Sequence, residues 1–295
     1  MSDNAFIDVH THCKEFSPDA TQPLSERIEE AKAKGLAGVI QTDHYDKDLY
    51  EAEHHYPLPA SGAVPKKGEW IFYIPDYLKR LKKEQEKLKA AKDPFKLLIG
   101  IELGYAPPLA DHFRALSKAN PFDCIIASVH SLDKQDVYLY RHEIYKKDKI
   151  ELYNLYLHFM ADMLEEMDYA NILGHFDYVS RYSNYPVKKM FYRDHKEAFD
   201  RLFSVMIKND VSLELNIGSQ RAKESDGKPM GLPDPEILKR YREMGGKLVS
   251  IASDAHHAGL VGEGFKKTAD YLKALGFEAV THFEKGKPCL TPLSE

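Results

Sequence analysis

The chain has 295 residues, 43% hydrophobic, 29% charged and 11% aromatic, so it can bury a sizeable core and is no disordered segment. Forty-one Lys+Arg against 46 Asp+Glu give a formal charge of −5, which disfavours general binding to a nucleic-acid backbone. No stretch approaches the roughly 20 apolar residues of a membrane helix, and the start Met1-Ser2-Asp3-Asn4 lacks signal-peptide character. Cys13, Cys124 and Cys289 form no C-x-x-C pair, so a reducing cytoplasm is the natural setting.

In chain order, strands are expected at about 5–9, 36–42, 97–103, 123–129, 170–174, 211–217 and 248–253. Between them the spacing predicts helices at 24–34, 75–91, 109–118, 150–167, 189–208, 234–244 and 264–275. Pro23 and Gly35 bracket the first helix, while Pro233 and Pro235 open the one that stops at Gly245-Gly246. Strands alternating with helices imply parallel βαβ units, closed into a barrel or spread as a doubly wound sheet. No Pro/Ser-rich linker and no fixed-period repeat divides the chain, which reads as one domain over 1–295. Segment 45–73 is too long for an ordinary connection; with His54, His55 and the sole tryptophan it reads as a functional loop or lid, or equally as a surface insertion. Segment 131–149, rich in Asp, Lys and Tyr, is expected over the same end of the sheet.

Polar residues gather where the apolar runs stop. The first strand leads into Asp8-Val9-His10-Thr11-His12, the second into Thr42-Asp43-His44, and the third holds Glu102. His130, His175 and Asp254-Ala255-His256 close later runs. These are carboxyl ends of strands, the rim where parallel α/β folds assemble active sites. A lone histidine there is more often a hydrogen-bonded turn residue than a ligand. Six imidazoles with acids at one buried rim would be costly without a cation among them. Imidazole with carboxylate suits zinc, iron or manganese, the absence of cysteine from the set argues against a structural thiolate site, and there are more ligands than one four-coordinate ion can use. Two to three divalent ions are expected, with Glu102 as a bridge.

The ordered set HTH at 10–12, TDH at 42–44, GIELGY at 100–105, ASVHSLD at 127–133, GHFDY at 174–178 and SDAH at 253–256 resembles the polymerase and histidinol phosphatase (PHP) superfamily, from Phe6 to about Pro288. That resemblance implies a distorted seven-stranded β/α barrel, TIM-barrel-like, with a trinuclear centre on the carboxyl rim. It implies His10, His12, Glu102 and Asp254 for the first metal, Glu102, His130 and His175 for the second, and His44 and His256 for the third. Asp19 completes the third set, with Glu15 in reserve.

Arg181, six residues past His175, and Arg221, beyond the sixth strand, resemble the phosphate-binding arginines of the histidinol-phosphate phosphatase branch. A guanidinium fork suits a phosphate monoester, although an isolated arginine is more often in a surface ion pair. The resemblance implies hydrolysis of L-histidinol phosphate in histidine biosynthesis. A water shared between metals would attack phosphorus in line, and Asp254 or His256 would protonate the leaving group. Glu69, Trp70 and Tyr138 are candidates for holding the substrate's amine and imidazole. Two rivals stay open: a phosphoesterase for a nucleotide or phosphodiester, and a metal-binding or regulatory module without catalysis. The basic run Lys79-Arg80 and Lys82-Lys83 reads as a solvated helix face, with no nucleic-acid partner expected.

Overall fold

The computed structural model describes residues 6–46 and 70–293. Its strands are β1 (Ile7–Thr11), β2 (Gly38–Gln41), β3 (His44–Tyr45), β4 (Lys96–Gly104), β5 (Cys124–Ser128), β6 (Ser131–Leu132), β7 (Gln135–Asp136), β8 (Ile172–Leu173), β9 (Ser212–Asn216), β10 (Val249–Ala252), β11 (Ala279–Glu284) and β12 (Lys287–Pro292). The helices are α1 (Leu24–Ala33), α2 (Ile74–Ala90), α3 (Ala110–Ala119), α4 (Arg141–Ile144), α5 (Lys149–Glu166), α6 (Tyr178–Arg181), α7 (Lys196–Lys208), α8 (Ile217–Arg221), α9 (Pro235–Glu243) and α10 (Phe265–Ala274).

The main sheet runs β1-β2-β4-β5-β8-β9-β10, with β3 also on β4, and every pairing in it is parallel. Its two ends meet. Asp254 N donates to His10 O at 3.0 Å and His12 N to Ala255 O at 3.0 Å, while Asp8 Oδ1 accepts Ser253 N at 3.0 Å. The result is a sheet of seven successive strands nearly closed into a barrel, as the alternating pattern implies.

Alternation along each strand sorts side chains into two cores. Ile99, Ile101 and Leu103 of β4, with Leu213 and Leu215 of β9, face the helices. Leu98, Cys124, Ile126, Ile172 and Ala252 fill the lower barrel with Ile7, Val9 and Phe283. Higher on the same inward faces come Glu102, Ser128, Glu214 and Asn216, all buried. In β1 the register slips between Asp8 and Thr11. Ile7 and Val9 lie in the inner core, and beyond the slip His10 and His12 reach the rim, the re-aiming that such irregularities produce beside active sites.

Two expectations need correction. Residues 189–195 are not α-helical: a short 3-10 turn at Tyr192–Asp194 precedes α7, which begins at Lys196. The tail, for which no strand was expected, pairs β11 with β12 in an antiparallel hairpin. Of the 45–73 segment, 47–69 with His54, His55 and Glu69 lies outside the described residues.

Candidate metal centre

The parallel pairing of β3 on β4 sets His44 directly beside Glu102, and His44 Nδ1 stands 2.5 Å from Glu102 Oε2. Glu102 is the hub. Its Oε2 is 3.4 Å from His10 Nε2 and 3.8 Å from His12 Nε2, and its Oε1 is 2.9 Å from His175 Nε2 and 3.4 Å from His130 Nε2. Ser128 Oγ donates to Oε1 at 2.7 Å. Asp254 Oδ1 approaches His12 Nε2 at 3.3 Å and His10 Nε2 at 3.9 Å. On the far side of His12, His256 Nε2 lies 3.1 Å from both His44 Nε2 and Asp19 Oδ2. Asp19 thus faces the third cluster. Glu15 turns away, accepting Leu24 N at 3.1 Å and Arg80 at 3.1 Å.

Several imidazoles are held from behind so that Nε2 points inward. His10 Nδ1 is 2.7 Å from Glu214 Oε1, His130 Nδ1 is 2.5 Å from Asp46 Oδ2, and His256 Nδ1 donates to the Asp254 carbonyl at 3.0 Å. His12 Nδ1 meets Ser17 Oγ at 3.3 Å, and that hydroxyl itself donates to Asp43 at 2.7 Å. A proton fixed on Nδ1 leaves the Nε2 lone pair for a metal, the usual outer-sphere arrangement.

Fully buried His10 Nε2 and His12 Nε2 have no hydrogen-bond partner among the described residues. Three sets, His10/His12/Glu102, Glu102/His130/His175 and His12/His44/His256, bring their ligand atoms within 4.8 Å of one another, as does His44/Asp46/His130. Buried polar atoms left unpaired around one point are costly, and a divalent cation answers all of them. The electrostatics agree. Burial would raise Glu102 and Asp254, but the surrounding imidazoles, with Arg181 beside Asp254, outweigh it and hold both carboxyls well below the usual range. For His44, burial works against charge, yet the Glu102 carboxylate carries its pKa up to about 9. The rim carboxylates therefore stay ionised, as ligands to a cation must be.

Asp254 adopts a left-handed backbone with φ 53°, uncommon outside glycine though tolerated by Asp, which swings its carboxylate across the barrel mouth. Its Oδ2 accepts Arg181 Nη1 at 3.1 Å and Asn216 Nδ2 at 3.3 Å. Arg181 Nε donates to Ser219 Oγ at 2.8 Å, and Ser219 Oγ donates to Asp177. Burial works against the Arg181 charge, but Asp254 more than offsets it. Arg181 Nη2 is left buried and without a hydrogen-bond partner among the described residues. A Cβ on Gly218 would stand 3.2 Å from both Arg181 Nη1 and Asp254 Oδ2, so glycine keeps room for this pair. Arg221 sits farther out, donating to Glu263 Oε2 at 2.9 Å and to the Ser253 carbonyl at 3.4 Å. His256 Nδ1 is engaged with the Asp254 carbonyl, and Asp254 Oδ2 with Arg181 and Asn216.

Aromatic rings line the approach. Trp70 meets His44 edge-on at 5.1 Å, and Tyr178 lies 4.8 Å from His175 and 5.0 Å from the Arg181 guanidinium. Tyr182 packs on Tyr178 at 5.2 Å, and exposed Tyr138 packs on Tyr182 at 5.0 Å.

Glu214 and Asp46 stand directly behind the candidate ligands His10 and His130, and neither ends an apolar run. A strand buried on both faces has no solvent side, so the Glu within Ser-Leu-Glu-Leu-Asn was itself a signal. Asp46 sits at the edge of the long segment, where no pattern marks it.

A PHP domain family model matches residues 8–218. A probable histidinol-phosphatase of Clostridium acetobutylicum is 29% identical over 95% of this chain and 97% of its own. A histidinol-phosphatase of Lactococcus lactis subsp. lactis is 25% identical over 94% of each chain. The fold is similar to a crystal structure of histidinol phosphate phosphatase from that organism, complexed with zinc, L-histidinol and phosphate. The TM-score is 0.77 at 24% identity, covering 96% of this chain and 98% of that one.

Proposed function

The chain belongs to the PHP domain family, and we propose that it is a metal-dependent phosphate monoester hydrolase that converts L-histidinol phosphate to L-histidinol and phosphate in histidine biosynthesis. The observation that carries this reading is the unpartnered Arg181 Nη2, buried beside the convergent Nε2 atoms of the rim and tied through Nη1 to Asp254. An anion donor next to a cation pocket suits a phosphate group that both can grip. The relatives named for this activity extend along almost the whole chain.

Three ions, zinc, manganese or iron, fit the donors: one with His10, His12, Glu102 and Asp254, one with Glu102, His130 and His175, and one with His44, His256 and Asp19. Such cations supply polarisation of the phosphoryl oxygens and a lowered pKa for water. The chain's own residues do the rest. Arg181 donates from Nη2 to an equatorial phosphoryl oxygen, and Ser219 and Asp177 fix its plane. Arg221 joins at the rim by sharing itself between Glu263 and the phosphate. The Tyr178, Tyr182 and Tyr138 line and Trp70 flank the entrance, offering faces for an imidazole and keeping water from the anion.

We read the chain as one barrel unit working in the cytoplasm on a small phosphorylated molecule. Lys79, Lys82 and Lys83 lie on the exposed face of α2, while Arg80 is engaged with Glu84 and Glu15, in keeping with a solvated helix rather than a nucleic-acid track. Side-by-side kinetics on L-histidinol phosphate, nucleoside monophosphates and bis-nitrophenyl phosphate test the assignment. The highest kcat/KM is expected for L-histidinol phosphate; a clear preference for the diester would overturn it.

A further inference from the structure

At the end of the barrel opposite Glu102, the β11–β12 hairpin lies across the starts of the strands. Its turn is fixed there: Lys285 N donates to Asp123 Oδ1 at 3.0 Å and Gly286 N to Asp123 O at 2.9 Å, just ahead of β5. Asn171, preceding β8, donates to Gly286 O at 3.4 Å, and Ser250 of β10 donates to Thr281 O at 2.7 Å. Lys285 at φ 53° and Gly286 at φ 71° make the left-handed pair of a tight hairpin, which pins the strand register.

That register collects three different donors. His282 and Glu284 are two apart on β11, and Cys289 is the cross-strand partner of His282, so all three share one face. One ligand atom from each lies within 4.8 Å of the others. His282 is 8% exposed, while Glu284 and Cys289 are half-buried, so an ion could enter. Glu284 Oε1 lies 3.1 Å from His282 Nε2 and 2.6 Å from Lys96 Nζ, a flexible ammonium half in solvent. A cation is thus already held at this carboxylate.

We propose that this face is a second metal site, separate from the catalytic rim, for a thiophilic divalent cation of the zinc type. Cys289 as thiolate, the His282 imidazole and the Glu284 carboxylate supply three ligands, and water completes the shell. The thiol proton passes to solvent on binding, and Lys96 swings away as the metal replaces its charge. A mixed S, N and O set suits zinc or cobalt, whereas magnesium favours oxygen donors alone. An ion there would lock the hairpin that caps the barrel's lower core.

The candidate ligand groups of the rim contain no cysteine among the described residues, so a thiolate signature reports this site alone. The protein is loaded with cobalt and its near-ultraviolet thiolate-to-cobalt absorption recorded, and zinc per chain is measured by equilibrium dialysis. The wild type is expected to show the band. Cys289→Ser is expected to lose it and to bind one zinc fewer, with phosphatase turnover unchanged. Lys96→Ala, which removes the competing ammonium, is expected to retain zinc several-fold more tightly at this site. Absence of the band in the wild type, or equal zinc counts in wild type and Cys289→Ser, would overturn the proposal. Because the readouts are a spectrum and a metal count, they stand whether or not the phosphatase assignment holds.

Discussion

His10 Nδ1 lies 2.7 Å from Glu214 Oε1, and the other oxygen of that carboxylate accepts the backbone N–H of His175. One buried side chain inside β9 therefore orients two proposed ligands from different strands. Asn216 Nδ2 bridges Glu214 Oε2 and Asp254 Oδ2, at 3.3 Å each, and extends the link to a third. Glu214→Gln keeps the shape but weakens the hold on the His10 ring. Metal affinity is expected to fall by about 10- to 100-fold, read by competition with a chromophoric chelator.

Asp46 plays the same part for His130, and Gly104 leaves the space it occupies, since a Cβ there would collide with the Asp46 carboxyl. Gly104→Ala should displace Asp46 without touching a proposed ligand. Loss of metal comparable to that of Asp46→Asn is expected in the same titration, with the far-ultraviolet circular dichroism unchanged.

For Arg181 the expected defect lies in phosphate handling. Removing a charge-assisted hydrogen bond is worth about 1.5–3 kcal/mol, or roughly 10- to 100-fold in kcat/KM. Arg181→Ala should lose that much and show weaker inhibition by inorganic phosphate. Arg221→Ala should lose less, because its guanidinium is shared with Glu263.

The parts of this site legible in the sequence were those at the ends of apolar runs: His10, His12, His44, His130, His175, Asp254 and His256 end strands whose pattern is unambiguous. The residues that aim them were harder to read. Glu214 lies mid-strand, marked only as a lone acid between leucines of a run buried on both faces, and Asp46 is brought to His130 by the β3–β4 pairing. The β11–β12 hairpin is hard to read because its turn, Lys285-Gly286, follows a run broken by His282 and Glu284. The late start of α7 reflects His195, whose φ of −138° departs from the helical value and ends the 3-10 turn before the helix begins.

His195 also offers a test of stability against pH. Its Nδ1 lies 2.8 Å from Asn154 Oδ1, and its Nε2 is buried without a hydrogen-bond partner among the described residues. Burial lowers its pKa from 6.5 to about 4. Between those values the unfolded chain binds a proton that the folded one does not. Stability is therefore fully present above pH 6.5 and lost as pH falls toward 4, by about 3 kcal/mol. In urea unfolding at fixed metal concentration, His195→Gln is expected to flatten this acid slope relative to wild type.

The most direct test is Glu102→Ala, because this carboxylate faces His10, His12, His44, His130 and His175 at once. Metal content and kcat on L-histidinol phosphate are measured together in the variant and the wild type. Both are expected to fall together, kcat by orders of magnitude; near-wild-type turnover with metal lost, or full metal with turnover intact, would contradict a catalytic centre built on Glu102.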